Sequence, residues 1–551
     1  MLVPASLVRC LPARCLPARC LPALLVLIVP QLAQPAAGQE SHHDHGYEHV
    51  SDQGVPLYDT LGEHNRPITA SSALAQAYFD NGLQLMYAFG RSVARLSFQA
   101  AREEDPGCAM CWWGEAWALA PYLNGAMESE SEEEAYRLMQ RAVEVAGDAS
   151  PVEVALIQAM ARRFSENPEE GGRAALDSVY ADAMEAVAAE FPNDLDVQTL
   201  YAESRMLLRP RRGAVDLNDP SVQEITTVLE SILERNLRHP GACHLFIHLV
   251  EASQEPERAE ACSDHLADAI PGASHIQHMP SHIHMQVGRY GDSVRGNLRA
   301  RWADERAEHG GVPGIYPSHN LNMLIFAAVF DGQAAIAIRA AHELARMSTA
   351  QSFFLPVTLA IFGKWEDVLE MNDRPEDLFL EGMWRWARGT AHLRTGEKAA
   401  AADDLGRLRE IEEEIPGDRI FRFHAQRDLL TIARGVLEAE ILADEGSGDA
   451  AIRAVSEAIE TYDGLVYDEP EPWHLPPRLV LGDLLLEMDR ANDAETAFRE
   501  ALDQHPRLGW ALFGLERALR MQGDEVEADR VALQFEEAWV RSDTWLRSSR
   551  F

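Results

Sequence analysis

Apolar residues recur along most of this chain at helical spacing, in blocks of roughly 10–15 residues broken by short Gly, Pro or Asp turns. No region sustains the period-two alternation of a half-buried strand. The blocks at Ala73–Tyr87, Ser92–Glu103, Ala135–Val145, Val152–Phe164, Ile225–Asn236, Ala334–Arg346 and Ala494–Asp503 each read as one helix. The pattern predicts an all-α fold whose unit is helix, short turn, helix.

The unit repeats at fixed spacing. Gly82, Ala94, Phe98 and Pro106 are separated by 12, 4 and 8 residues, and Gly482, Ala494, Phe498 and Pro506 have the same separations. Eight residues beyond each proline stands another glycine, Gly114 or Gly514. Further turns are read at Gly288-Arg289-Tyr290, Asp331-Gly332-Gln333, Gly363-Lys364-Trp365 and Gly396. This spacing resembles the tetratricopeptide repeat, with small residues where helices touch, an aromatic in the second helix and a closing proline. The resemblance implies a solenoid of antiparallel helix pairs, about ten to twelve repeats of about 34 residues. Such an array stacks each unit only on its neighbours and curls into a superhelix with a concave inner face.

Composition narrows the function classes. With 46% apolar and 25% charged residues the chain has ordinary globular usage, and disorder is excluded as its main state. The net charge of -39 has the wrong sign for a phosphate-backbone binder, so no nucleic-acid partner is expected. Residues 1–38 carry three arginines and no acid, then the apolar run Leu21–Val29 and Ala36-Ala37-Gly38, the order of a secretory signal. The protein is therefore expected to be exported, periplasmic or secreted, with no transmembrane segment in the mature chain. The expected divisions are the signal (1–38), a histidine-rich flexible segment (39–66), N-terminal repeats (67–235), histidine-rich central repeats (236–350), further repeats (351–465) and C-terminal repeats (466–551).

The chemistry concentrates in the central repeats. Ten of the 20 histidines fall between His239 and His319. In the repeats that the spacing resembles, the first helix of each pair lines the concave face through its second, fifth, ninth and twelfth residues. Phased from Gly288, one unit starts at Ser274 and places His275, His278 and His282 on a single helix stripe. The preceding unit places His244, His248 and Glu251 likewise, and the following one His319 with Asn322. Six histidines and a glutamate are thus expected in one groove. Imidazole and carboxylate are the ligand set of a transition ion such as Zn, Cu or Fe, and spacing does not choose among them. The sequence His244-Leu245-Phe246-Ile247-His248 lacks the glutamate of a zinc-protease helix. His284 falls on the opposite side and reads as packing or surface.

Other features carry weaker signals. Cys108 and Cys111 favour a local disulfide after export over a zinc site, which needs a second pair. Trp112, Trp113 and Trp117 read as inter-repeat packing. His64, ahead of the first repeat, is placed to fold across the groove. The stretch Glu469–Pro477 reads as a rigid loop before the terminal pair of repeats. The stretches Tyr78–Leu85 with Asp105–Leu119, His239–Ser253, His275–Tyr290 and Glu471–Leu515 resemble a widespread bacterial family of exported tetratricopeptide-repeat proteins of uncharacterised function. That resemblance implies the repeat fold and brings no reaction with it. Two functions are expected: binding of a protein or peptide in the concave groove beside a His/Glu metal site, or metal-dependent oxidoreductase or hydrolase chemistry at that site.

Overall fold

The computed structural model describes residues 54–166, 172–210 and 213–550. The signal-like segment and the histidines at positions 42–49 lie outside them. The regular structure among the described residues is almost wholly helical, as the periodicity requires, and falls into twelve successive helix pairs when the interrupted helix Ser274–His278 and Pro280–Gln286 is taken as one. The first pair is Ala73–Tyr87 with Arg91–Glu104 and the last is Gly509–Gln522 with Glu525–Trp539. No described helix is long and apolar enough to cross a membrane.

The repeated glycines have a steric cause. Phe98 is fully buried between two helices, and a Cβ on Gly82 or Gly114 would stand 2.6 or 2.4 Å from its ring. Phe498 sits in the same clamp, where a Cβ on Gly482 or Gly514 would stand 2.4 or 2.2 Å away. One aromatic ring thus fills the space left by two missing side chains, and backbones approach closely around it.

Two departures from the sequence reading matter. A two-stranded hairpin, Ile420–Phe421 with His424–Ala425, interrupts the helices before Gln426–Asp444. The array also does not stack strictly neighbour on neighbour. Its C-terminal pairs pack back on the middle, where Trp510 Nε1 donates to the Val329 carbonyl at 2.9 Å and the Tyr290 hydroxyl to that of Pro506 at 2.8 Å. The N-terminal segment returns too, since the Gly272 amide donates to the Thr60 carbonyl at 2.7 Å. The expectation of purely neighbouring contacts is corrected by these apolar and backbone pairings between repeats far apart in sequence.

Both returning ends converge on the central repeats, where the apolar core is divided. One part includes Ile276, Met279 and Ile283; the other includes Met285, Leu321 and Met323. The histidines alternate with these residues along the same helices.

Candidate metal centre

Three helices carry the histidines inward. Pro240–Val250 bears His244 and His248, Ser274–His278 with Pro280–Gln286 bears His275, His278 and His282, and Pro317–Phe330 bears His319. Pro240, Pro280 and Pro317 each stand at a helix's first turn, where the missing N–H costs nothing. His244, His275 and His278 are at most 1% exposed, whereas His319 is partly open.

All seven residues singled out from the sequence come together, and the rings form two adjoining triads. In the first, His278 Nε2 lies 2.8 Å from His282 Nε2 and 3.0 Å from His319 Nε2. In the second, His244, His248 and His275 bring one nitrogen each within 4.8 Å of the others. The triads abut, with ring centroids of His275 and His278, and of His248 and His282, 5.7 Å apart.

Hydrogen bonds behind the rings decide which nitrogens face inward. Asn297 donates its Nδ2–H to the Ser293 carbonyl, so its Oδ1 accepts from His278 Nδ1 at 2.8 Å. The Tyr87 carbonyl accepts from His244 Nδ1 at 2.6 Å. Glu251 accepts from His248 Nδ1 on one oxygen at 3.1 Å, and its other oxygen stands 2.6 Å from His282 Nδ1 as an ion-pair contact. In a neutral ring whose Nδ1 donates, Nε2 is the lone-pair nitrogen. Two such nitrogens at 2.8 Å repel unless a proton or a metal ion lies between them.

The electrostatics favour a neutral imidazole at His275, His278 and His319 and a charged one at His282. Burial, reinforced by the neighbouring histidines, holds His275 and His319 well below the ordinary imidazole value, and burial with His282 does so for His278. His282 is opposed by burial but raised to about 10 by the Glu251 and Glu469 carboxylates. Glu251 stays far below its usual range because His282 and His248 outweigh burial. Burial lifts Glu469 to about 7, with His282 acting against it. His275 has both ring nitrogens buried without a hydrogen-bond partner, which costs about 1–3 kcal/mol.

Several contributors had no sequence signal. Glu469 reaches His282 Nδ1 at 2.6 Å from the loop before the C-terminal pairs. Phe89 lays its ring over His244, His248 and His275, with centroids 4.1, 5.7 and 5.7 Å away, and Tyr316 meets His275 edge-on at 5.0 Å. Among the described residues five non-glycines have positive φ, and Phe89 (59°), Tyr316 (56°) and Arg422 (56°) are three of them. Arg422 donates to the Asp468 carboxylate at 2.6 Å and to the Glu469 carbonyl at 2.8 Å, and so fixes the loop that delivers Glu469. Left-handed backbone in bulky residues is unfavourable, and its concentration around one cluster is typical of functional sites.

Other candidates separate from the centre. His64 does fold across to His239, with ring centroids 4.8 Å apart, and both reach Asp196, at 3.0 and 3.3 Å. Arg66 and the Tyr87 hydroxyl hold the same carboxylate, which makes this group an ion-pair network. His284 is buried on the far side, 3.4 Å from Asp264, and His474 stacks on Phe354. Cys108 and Cys111 form a disulfide, as does a pair not foreseen, Cys243 with Cys262. Trp113 and Trp117 are buried in packing. Beside the first triad, His319 forms part of the wall of a cavity of about 690 Å³ with Asn322, Gln351, Phe421, Arg419 and Arg422.

The chain matches no protein-family model, and no curated protein matches it. Solved structures similar to it include the APC/C hetero-tetramer Cut9-Hcn1, 13% identical over 84% of this chain and 76% of that chain with a TM-score of 0.29. The human IFIT1 dimer with m7Gppp-AAAA is 10% identical over 78% and 90%, with a TM-score of 0.32. The TPR domain of P58(IPK) is 12% identical over 82% and 98%, with a TM-score of 0.21.

Proposed function

We propose that this is an exported helical-repeat metalloprotein that holds a transition ion on His278, His282 and His319 and binds a ligand in the adjoining cavity. The observation that carries the reading is the convergence of three Nε2 atoms at 2.8 and 3.0 Å, with Asn297, Glu251 and Glu469 holding two of the rings from behind. Such outer partners fix tautomer and ring orientation in metal sites. Zinc–nitrogen bonds of about 2.0–2.1 Å set tetrahedral edges near 3.3 Å, so the rings need open by only about half an ångström. An all-imidazole set suits Zn, Cu or Fe. The two disulfides support an oxidising, exported setting.

The cavity at His319 supports occupation by a peptide or small molecule whose polar end reaches the ion. The same position favours a second reading, metal-dependent catalysis, because a ligand there would share an open coordination position. The deciding experiment is metal analysis of protein purified without a histidine tag, before and after exposure to Zn(II), Cu(II) and Fe(II). Bound metal that disappears in His278→Ala/His319→Ala, with helical content retained, supports the reading. Absence of metal under every condition overturns it.

A further inference from the structure

We propose that the centre is dinuclear: a second transition ion sits on His244, His248 and His275, and Glu251 positions both sites at once. The proposal rests on the metal reading above and extends it. One nitrogen from each of these three rings lies within 4.8 Å of the others, a span that a single ion would close by drawing the rings together by up to about 1.5 Å. The backs of two rings are fixed, His244 Nδ1 on the Tyr87 carbonyl and His248 Nδ1 on Glu251. His275 is 1% exposed, has no hydrogen-bond partner on either nitrogen and faces the other two rings at centroid distances of 5.0 and 6.4 Å. A buried imidazole satisfied by nothing in the protein is the group that a metal would satisfy.

The surroundings suit an enclosed ion. Phe89 covers all three rings and Tyr316 closes on His275, both in left-handed backbone. Two close dications need nearby negative charge, and the buried Glu251 carboxylate supplies it between the triads, with Glu469 beside His282. Glu251 accepts the Nδ1–H of His248 and pairs by charge with His282, so the two sites share one orienting group.

The test is the stoichiometry of Co(II) and Zn(II) bound by the full mature chain, after chelation and dialysis, read by native mass spectrometry and by the Co(II) visible spectrum. Two equivalents are expected. His248→Gln should remove one, and His319→Asn the other. Glu251→Gln accepts a single Nδ1–H, so it should weaken both about 10–100-fold and alter both Co(II) absorption bands, while Glu251→Asp restores them in part. One equivalent, lost in His319→Asn and kept in His248→Gln, overturns the second site and leaves the metal reading standing. One equivalent lost in both variants means a single shared ion and overturns the proposal equally. No bound metal overturns both. If a variant does not fold, the wild-type stoichiometry alone decides between one ion and two.

Discussion

Asn297 decides which nitrogen His278 presents. Its amide nitrogen is tied to the Ser293 carbonyl, so only its oxygen is left to face the ring, and Nδ1 must carry the proton. Asn297→Leu removes that acceptor without removing a ligand, and metal affinity measured against a competing chelator should fall about 10–100-fold. Asn297→Asp keeps an acceptor and should lose far less; equal losses in the two variants would contradict the orienting role. Asp304 makes a different single-residue case. Burial raises its carboxyl to about 6 despite the hydrogen bond donated by Asn320 at 3.1 Å. The folded state therefore holds this proton more tightly than the unfolded chain. The resulting stability is present below the unfolded value of 3.8 and is lost as pH rises through about 6. Asp304→Asn is neutral throughout, so in metal-free protein it should gain on the wild type by up to about 3 kcal/mol between pH 4 and pH 8. A melting difference that stays constant over that range would refute the assignment.

The Gly82, Phe98 and Gly114 clamp is a property of elements, because it sets how closely three helices approach. Gly114→Ala forces a methyl into the Phe98 ring and should cost about 1–3 kcal/mol, read as a lowered thermal midpoint. Gly406→Ala is the control, since nothing lies within 4 Å of a Cβ there, and its midpoint should hold or rise. This level was also the most legible in the sequence. The separations around Phe98 and Phe498 announce the clamp, and helical phasing from Gly288 placed His275, His278 and His282 on the side where they are found. Glu469, Asn297, Phe89 and Tyr316 left no such mark. Each enters from a loop or another helix, and the period along one helix does not encode which residue of another element meets it. The hairpin at Ile420–Ala425 was invisible for a simpler reason: two residues per strand are too few to display a period.

At the scale of the whole molecule, neighbouring repeats bring the histidines together, and the return of the array adds Glu469 from the C-terminal side and Phe89 from the N-terminal side. Gly288 and Gly332 take positive φ at interhelix turns, as their sequence context implies, yet both are also docking points. A Cβ on Gly288 would stand 2.2 Å from the Pro506 carbonyl oxygen, and one on Gly332 would stand 2.5 Å from Trp539. Arg541 closes the second contact, binding buried Asp331 at 2.6 and 2.9 Å. Asp543 adds to it by accepting the Ala334 and Ala335 amides at 2.6 and 3.0 Å, which caps a helix some two hundred positions earlier. The helix that bears His319 ends at Phe330, one residue before Asp331, so this docking holds the far end of an element that carries one of the clustered histidines. Arg541→Ala leaves Asp331 buried without its cation and should cost about 1–3 kcal/mol. Hydrogen exchange then distinguishes two outcomes. If the array is held by its return contacts, the amides of Pro317–Phe330 and Ala334–Met347 exchange faster together, and metal affinity drops although no ligand was touched. If each pair depended only on its neighbours, faster exchange would stay confined to the C-terminal pairs and the ion would bind as before.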